Sequence, residues 1–151
     1  MKIKISRKRK NELYTESVLL INGLIIANTV EATVCMLPAG NYELRIVKKS
    51  QRKQAFVIFM GGKPTNWTID IGISWIVSKK KHIIAIGQRF FPGAVNRAIP
   101  IFERITDRLM KCEARGESIQ FVISEDECVN NKPIKHWLER GDCWLVMITD
   151  C

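Results

Sequence analysis

The chain opens on a strict alternation. In Lys2-Ile3-Lys4-Ile5 the two isoleucines share one face of a strand and the two lysines the other. A second apolar run, Ser17-Val18-Leu19-Leu20-Ile21, meets Asn22-Gly23, and Leu24-Ile25-Ile26 follows. Asn-Gly between two apolar runs predicts a two-residue hairpin, because both central positions of a type I′ turn need positive φ. Leu37-Pro38-Ala39-Gly40-Asn41 reads as a turn, with Pro setting the first corner and Gly40 expected at positive φ. Tyr42 to Val47 leaves it as an alternating strand, and Gln54 to Met60 is a further strand closed by Gly61-Gly62-Lys63-Pro64. Trp67 to Val77 is apolar and β-branched, with Ile69, Ile71, Ile73 and Trp75 spaced two apart as in a strand, and His82 to Ile86 predicts another.

The period changes once. Ile101, Phe102, Ile105, Leu109 and Cys112 fall at helical spacing within about 97–115. Pro100 suits a first turn, where its missing N–H is not needed, and Gly116 stands where a helix C′ glycine belongs, after Lys111 and Arg115. Ile119 to Ile123 and Trp144 to Ile148 predict closing strands, with a short helical turn over Pro133 to Arg140 between them. Strands dominate without alternating regularly with helices, and no linker, repeat or low-complexity tract interrupts them. The expectation is one α+β domain over 1–151, a mostly antiparallel sheet or barrel-like β structure with one main α-helix.

Composition changes that picture little, but charge does. The 151 residues are 46% hydrophobic and 26% charged, a globular balance with enough apolar surface for a core. Lys and Arg number 24 against 15 acidic residues, a formal net charge of +9 that favours anionic partners: an acidic protein, nucleic acid, anionic lipid or acidic wall polymer. Five cysteines, Cys35, Cys112, Cys128, Cys143 and Cys151, are odd in number and irregularly spaced, which reads as free thiols in a reducing compartment rather than a disulfide framework. The basic start has no apolar run behind it to make a secretory signal, and no stretch approaches the ~20 apolar residues of a membrane span. A cytoplasmic location is expected.

Candidate chemistry is sparse. His82 and His136 are the two histidines, and a nucleophilic site needs a base beside its nucleophile. Cys128, His136, Cys143 and Cys151 lack the short Cys-x₂-Cys spacing of structural zinc sites. Gly61-Gly62-Lys63 is a turn, not a phosphate cradle, and Glu125, Asp126 and Glu127 read as a solvated acidic loop. No catalytic residue, metal or cofactor is assigned. The basic runs Arg7-Lys8-Arg9-Lys10, Lys48-Lys49, Arg52-Lys53 and Lys79-Lys80-Lys81 fall at strand ends or turns, and could gather at one end as a phosphate-attracting rim. Phe90-Phe91 precedes a turn, and two adjacent aromatics on a strand cannot both point inward. Lys79, Lys80, Lys81, His82, Arg89, Phe90 and Phe91 are therefore the candidate ligand-binding residues. A nucleic-acid binder working through these basic turns and nearby aromatic rings is an alternative function.

Two stretches carry a resemblance. Glu31 through Tyr42, with Leu37-Pro38-Ala39-Gly40-Asn41-Tyr42, resembles the Glu…Leu/Ile-Pro-Ala-Gly-x-Tyr signature of an uncharacterised bacterial and phage domain family. Ile84-Ala85-Ile86-Gly87, Phe91-Pro92-Gly93-Ala94 and the helix through Leu109 to Arg115-Gly116-Glu117-Ser118-Ile119 look like that family's second half. The likeness spans about 3–123, leaving 124–151 as a C-terminal strand extension. Many members carry Ile-His-x-Gly-Asn and Gly-Cys-Ile-Leu-Val-Gly, similar to the His and Cys of L,D-transpeptidases, which act on peptidoglycan stem peptides through an acyl-enzyme. Here Ile83 stands at the cysteine's place in His82-Ile83-Ile84-Ala85-Ile86-Gly87, and Phe59 at the histidine's in Ile58-Phe59-Met60-Gly61-Gly62. Neither side chain can attack a carbonyl or carry a proton. The resemblance thus implies a non-catalytic binding domain of bacterial or phage origin, with a divergent transpeptidase-like enzyme as a second alternative.

Overall fold

In a computed structural model, the described residues are 1–50, 53–125 and 129–130. The strand expected over Trp144 to Ile148, the turn over Pro133 to Arg140, and the residues Cys128, His136, Cys143 and Cys151 lie outside them. The strands are β1 (Lys2–Lys10), β2 (Tyr14–Ile21), β3 (Leu24–Ala32), β4 (Gly40–Ser50), β5 (Lys53–Met60), β6 (Lys63–Ile71), β7 (Ile83–Phe91), β8 (Ala94–Asn96), β9 (Gln120–Ser124) and β10 (Val129–Asn130). Two helices accompany them among the described residues: α1 (Trp75–Lys81) and α2 (Ala98–Ala114).

Eight strands pair in the order β1-β2-β3-β7-β6-β5-β4-β9, and β9 returns to pair with β1, closing a barrel. Six of the ring's pairings are antiparallel; β6 with β7 and β9 with β1 are parallel. Closure leaves no unpaired edge in the ring, which removes the aggregation hazard of an open sheet. The α+β expectation of a mostly antiparallel, barrel-like domain holds at this level.

The register sorts the interior into rows. Ile3 faces Ile21, and above it Ile5, Leu19 and Ala27 line up across β1, β2 and β3. These join Leu44, Phe56, Ile58, Ile69, Ile84, Ile86, Phe121 and Ile123 in one core. Helix α2 closes the end where β1 begins. Its stripe contributes Ile105 and Leu109 to that same core, and Phe102 meets Phe56 with ring centroids 5.0 Å apart. Gly116, at φ 70°, ends the helix as its sequence position predicts.

The Asn22-Gly23 hairpin forms with φ of 49° and 84°, the two positive values a type I′ turn requires. Two other expectations are corrected. Gly40 does not take positive φ; it opens β4 as extended chain opposite Ile123, so the turn lies before it. The strand read over Trp67 to Val77 stops at Ile71, and Trp75–Lys81 is helix. The reason is topological, since β6 and β7 are parallel and a parallel pair needs a crossover between its strands. Helix α1 supplies that crossover and covers the outside of β3 and β7. There Val77 packs with Tyr14, Val30, Ile83, Ala85 and Val95 in a second apolar cluster. β7 is therefore buried on both faces, which is why Ile83-Ile84-Ala85-Ile86 is a continuous apolar run rather than an alternating one.

Candidate binding end of the barrel

Away from α2, the barrel's lining changes character within one row. Above Ile5, Leu19 and Ala27 come Arg7, Ser17 and Thr29, matched across β1, β2 and β3, and then Thr15 opposite Glu31. All five are buried. The Arg7 side chain is 0% exposed, and its guanidinium donates from Nη2 to Glu31 Oε2 at 2.8 Å and to the Leu37 carbonyl at 2.6 Å, and from Nη1 to Glu125 Oε1 at 2.7 Å. A buried cation needs such partners, because desolvation of an unpaired charge costs more than folding can spare. Lys10 approaches the same Glu125 oxygen at 3.8 Å.

The segment after β3 folds over this end. A 3-10 turn, Thr33–Cys35, brings the Thr33 hydroxyl 2.9 Å from that of Thr15, and Tyr42 donates its hydroxyl to the Pro38 carbonyl at 2.7 Å. Burial pushes the Glu31 carboxyl above its ordinary range, with the Arg7 charge and hydrogen bond pulling the other way. Burial also raises the Cys35 thiol, against the Lys79 charge and with that of Glu31.

The candidate residues divide between two places. Lys79, Lys80 and Lys81 form the exposed last turn of α1, where positive charge complements the helix's negative end. His82 is the left-handed C-cap at φ 53°, and its ring meets Trp67 edge-on at 5.7 Å. Because β7 runs opposite to β1, these four residues sit at the end that also carries Lys8, Arg9 and Lys10. Arg89, Phe90 and Phe91 lie past Gly87, where β7 leaves β3 and pairs with β8. There Arg89 Nε is 3.4 Å from Glu16 Oε1, Phe90 is half-exposed, and Phe91 leans on the outer apolar cluster with its ring centroid 5.0 Å from that of Phe90.

The basic runs divide in the same way, since β4 descends opposite to β1 and carries Lys48 to the α2 end. Charge alone does not place two residues. Arg7 belongs to no surface run: it shares a face with Ile3 and Ile5 and points inward, as the alternation already indicated. Glu125 lies outside the strands with its side chain 37% exposed, as a loop acid should, but it also pairs with Arg7.

Ile83 is buried under α1, and the Phe59 ring lies 4.3 Å below the Arg45 guanidinium. Among the described residues no three His, Cys, Asp or Glu side chains come together as a metal site, and no helix is long and apolar enough to cross a membrane. No protein-family model, curated protein or solved structure matches the chain.

Proposed function

We propose that this protein is a non-catalytic binding domain, of a bacterial or phage kind, that holds an acidic partner at the barrel end bearing Lys79, Lys80, Lys81 and His82. One observation carries the reading. Strand direction brings two basic runs far apart in sequence, Lys8–Lys10 and Lys79–Lys81, to the same end of one barrel. Clustered cations raise the local concentration of anions and steer their approach. Hydrocarbon at Ile83 and Phe59 supports a binding rather than a catalytic role.

The test is charge reversal with a control of equal charge. Lys79→Glu, Lys80→Glu and Lys81→Glu together are expected to weaken binding of an acidic peptide roughly tenfold or more. Arg104→Glu, Arg108→Glu and Lys111→Glu together, on the exposed face of α2 at the other end, are expected to leave it within twofold of wild type. Equal loss in both would mean that net charge alone drives binding, and would refute the reading. A single-stranded oligonucleotide of matched charge is the competing probe. Preference for it, with affinity falling steeply in salt, moves the protein to the nucleic-acid alternative. Turnover of a peptidoglycan stem peptide would end the non-catalytic reading outright.

A further inference from the structure

Four polar atoms in the barrel's polar tier are shielded from solvent and have no hydrogen-bond partner among the described residues: Arg7 Nε, Ser17 Oγ, Thr29 Oγ1 and Glu31 Oε1. They are not scattered. Arg7, Ser17 and Thr29 stand directly across from one another on β1, β2 and β3, and Glu31 follows Thr29 on the same face. Leaving one such group unmet costs about 1–3 kcal/mol, and folded proteins satisfy about nine in ten of them. Four adjacent unmet groups would be a heavy cost for a domain whose whole stability is of order 10 kcal/mol.

The chemistry of the four selects what meets them. Arg7 Nε–H can only donate, and the Glu31 carboxylate oxygen accepts; the two hydroxyls between them do either. An anion would suit Arg7 and be repelled by Glu31, and a cation the reverse. A hydroxyl accepts from the guanidinium and donates to the carboxylate through the same oxygen. The Nη atoms of Arg7 are already engaged by Glu31, Glu125 and Leu37, which leaves Nε to face another partner. An eight-stranded barrel can accommodate one small guest in its interior, and a buried polar site offering two to four partners holds water.

We propose that this tier is an internal binding site for neutral hydroxyl-bearing guests, water or a small polyol, held between Arg7, Ser17, Thr29 and Glu31. The site is enclosed by the barrel wall and independent of what the lysine-bearing end binds.

Crystals of the wild-type chain grown without polyol, and a second set soaked in glycerol, test this directly. The expected result is at least one ordered oxygen within hydrogen-bond distance of three or more of the four atoms. Isolated oxygens in both sets identify water as the guest, and connected density in the soaked set alone identifies the polyol. A dry tier in both, with the four groups turned onto one another, would overturn the proposal. The Ser17→Ala, Thr29→Val double variant should lose the guest while keeping the barrel. If that variant does not fold, the wild-type crystals still decide. The triple lysine reversal should leave the tier's occupancy unchanged, so failure of the anion-binding reading is distinguishable from failure of this one.

Discussion

Arg7 and Glu31 meet inside the barrel through a 2.8 Å contact between Nη2 and Oε2, with neither side chain exposed to solvent. The two residues sit on β1 and β3, with β2 between them, so the pair spans the wall segment that the Asn22-Gly23 hairpin organises. A buried pair of this kind is costly to break on one side only. Arg7→Met is expected to destabilise the fold by about 3–5 kcal/mol, because it leaves the buried Glu31 without its cationic partner. Adding Glu31→Leu should recover much of that loss. Urea unfolding of the two single variants and the double variant measures the coupling; strictly additive effects would show that the contact contributes nothing.

The same carboxyl gives a pH dependence with a definite sign. Its folded-state pKa is raised above the ordinary 4.5, chiefly by burial. Between the unfolded and folded values the native chain binds more protons than the unfolded one, so this group's contribution makes stability fall as pH rises through that window. Below about 4.5 the contribution is flat. Glu31→Gln should remove the descent, as read from urea midpoints taken upward from acid. An unchanged pH profile in the variant would assign the descent elsewhere.

Gly87 is where β8 folds closest onto β7. A Cβ there would lie 2.4 Å from the Asn96 carbonyl oxygen and 2.9 Å from Val95 Cβ. Gly87→Ala should cost about 1–3 kcal/mol by overpacking. It should also speed hydrogen exchange at the Val95 amide, which donates to Ile73. Exchange at wild-type rate would mean that β8 yields without loosening.

Helix α2 offers a paired comparison on consecutive residues. Leu109 is fully buried in the barrel core, while Met110 is 44% exposed. Leu109→Ala is expected to lose about 2–5 kcal/mol, and Met110→Ala to stay within about 0.5 kcal/mol of wild type. Similar losses from both would place the helix in a different rotation about its axis.

The elements legible in the sequence are those whose signals are local. Ile3 and Ile5 alternate, Asn22-Gly23 turns, and Ile105, Leu109 and Cys112 stripe α2; all three appear where expected. What escaped depends on partners distant in sequence. Helix α1 has seven residues, two of them β-branched, too short to show a full stripe, and it exists because β6 and β7 lie parallel. Closure through β1 and β9 leaves no local mark. At the candidate site the lysines of α1 were visible as charge, but the inward Arg7 was hidden within a basic run and Glu125 within an acidic one. Alternation carried past Ile5 places Arg7 correctly; nothing local identifies Glu125 as its partner.

The seam between β1 and β9 has a consequence for synthesis. As the nascent chain leaves the ribosome, β1 and β4 each present an unsatisfied border until residues 120–124 arrive to bridge them. At about 5–20 residues per second, the stretch from β4 to β9 takes several seconds to make. Throughout that interval the half-built wall is open to strands of neighbouring chains. The lysines spaced along β1 then serve a purpose that the finished barrel no longer needs: they make its border an unwelcoming template.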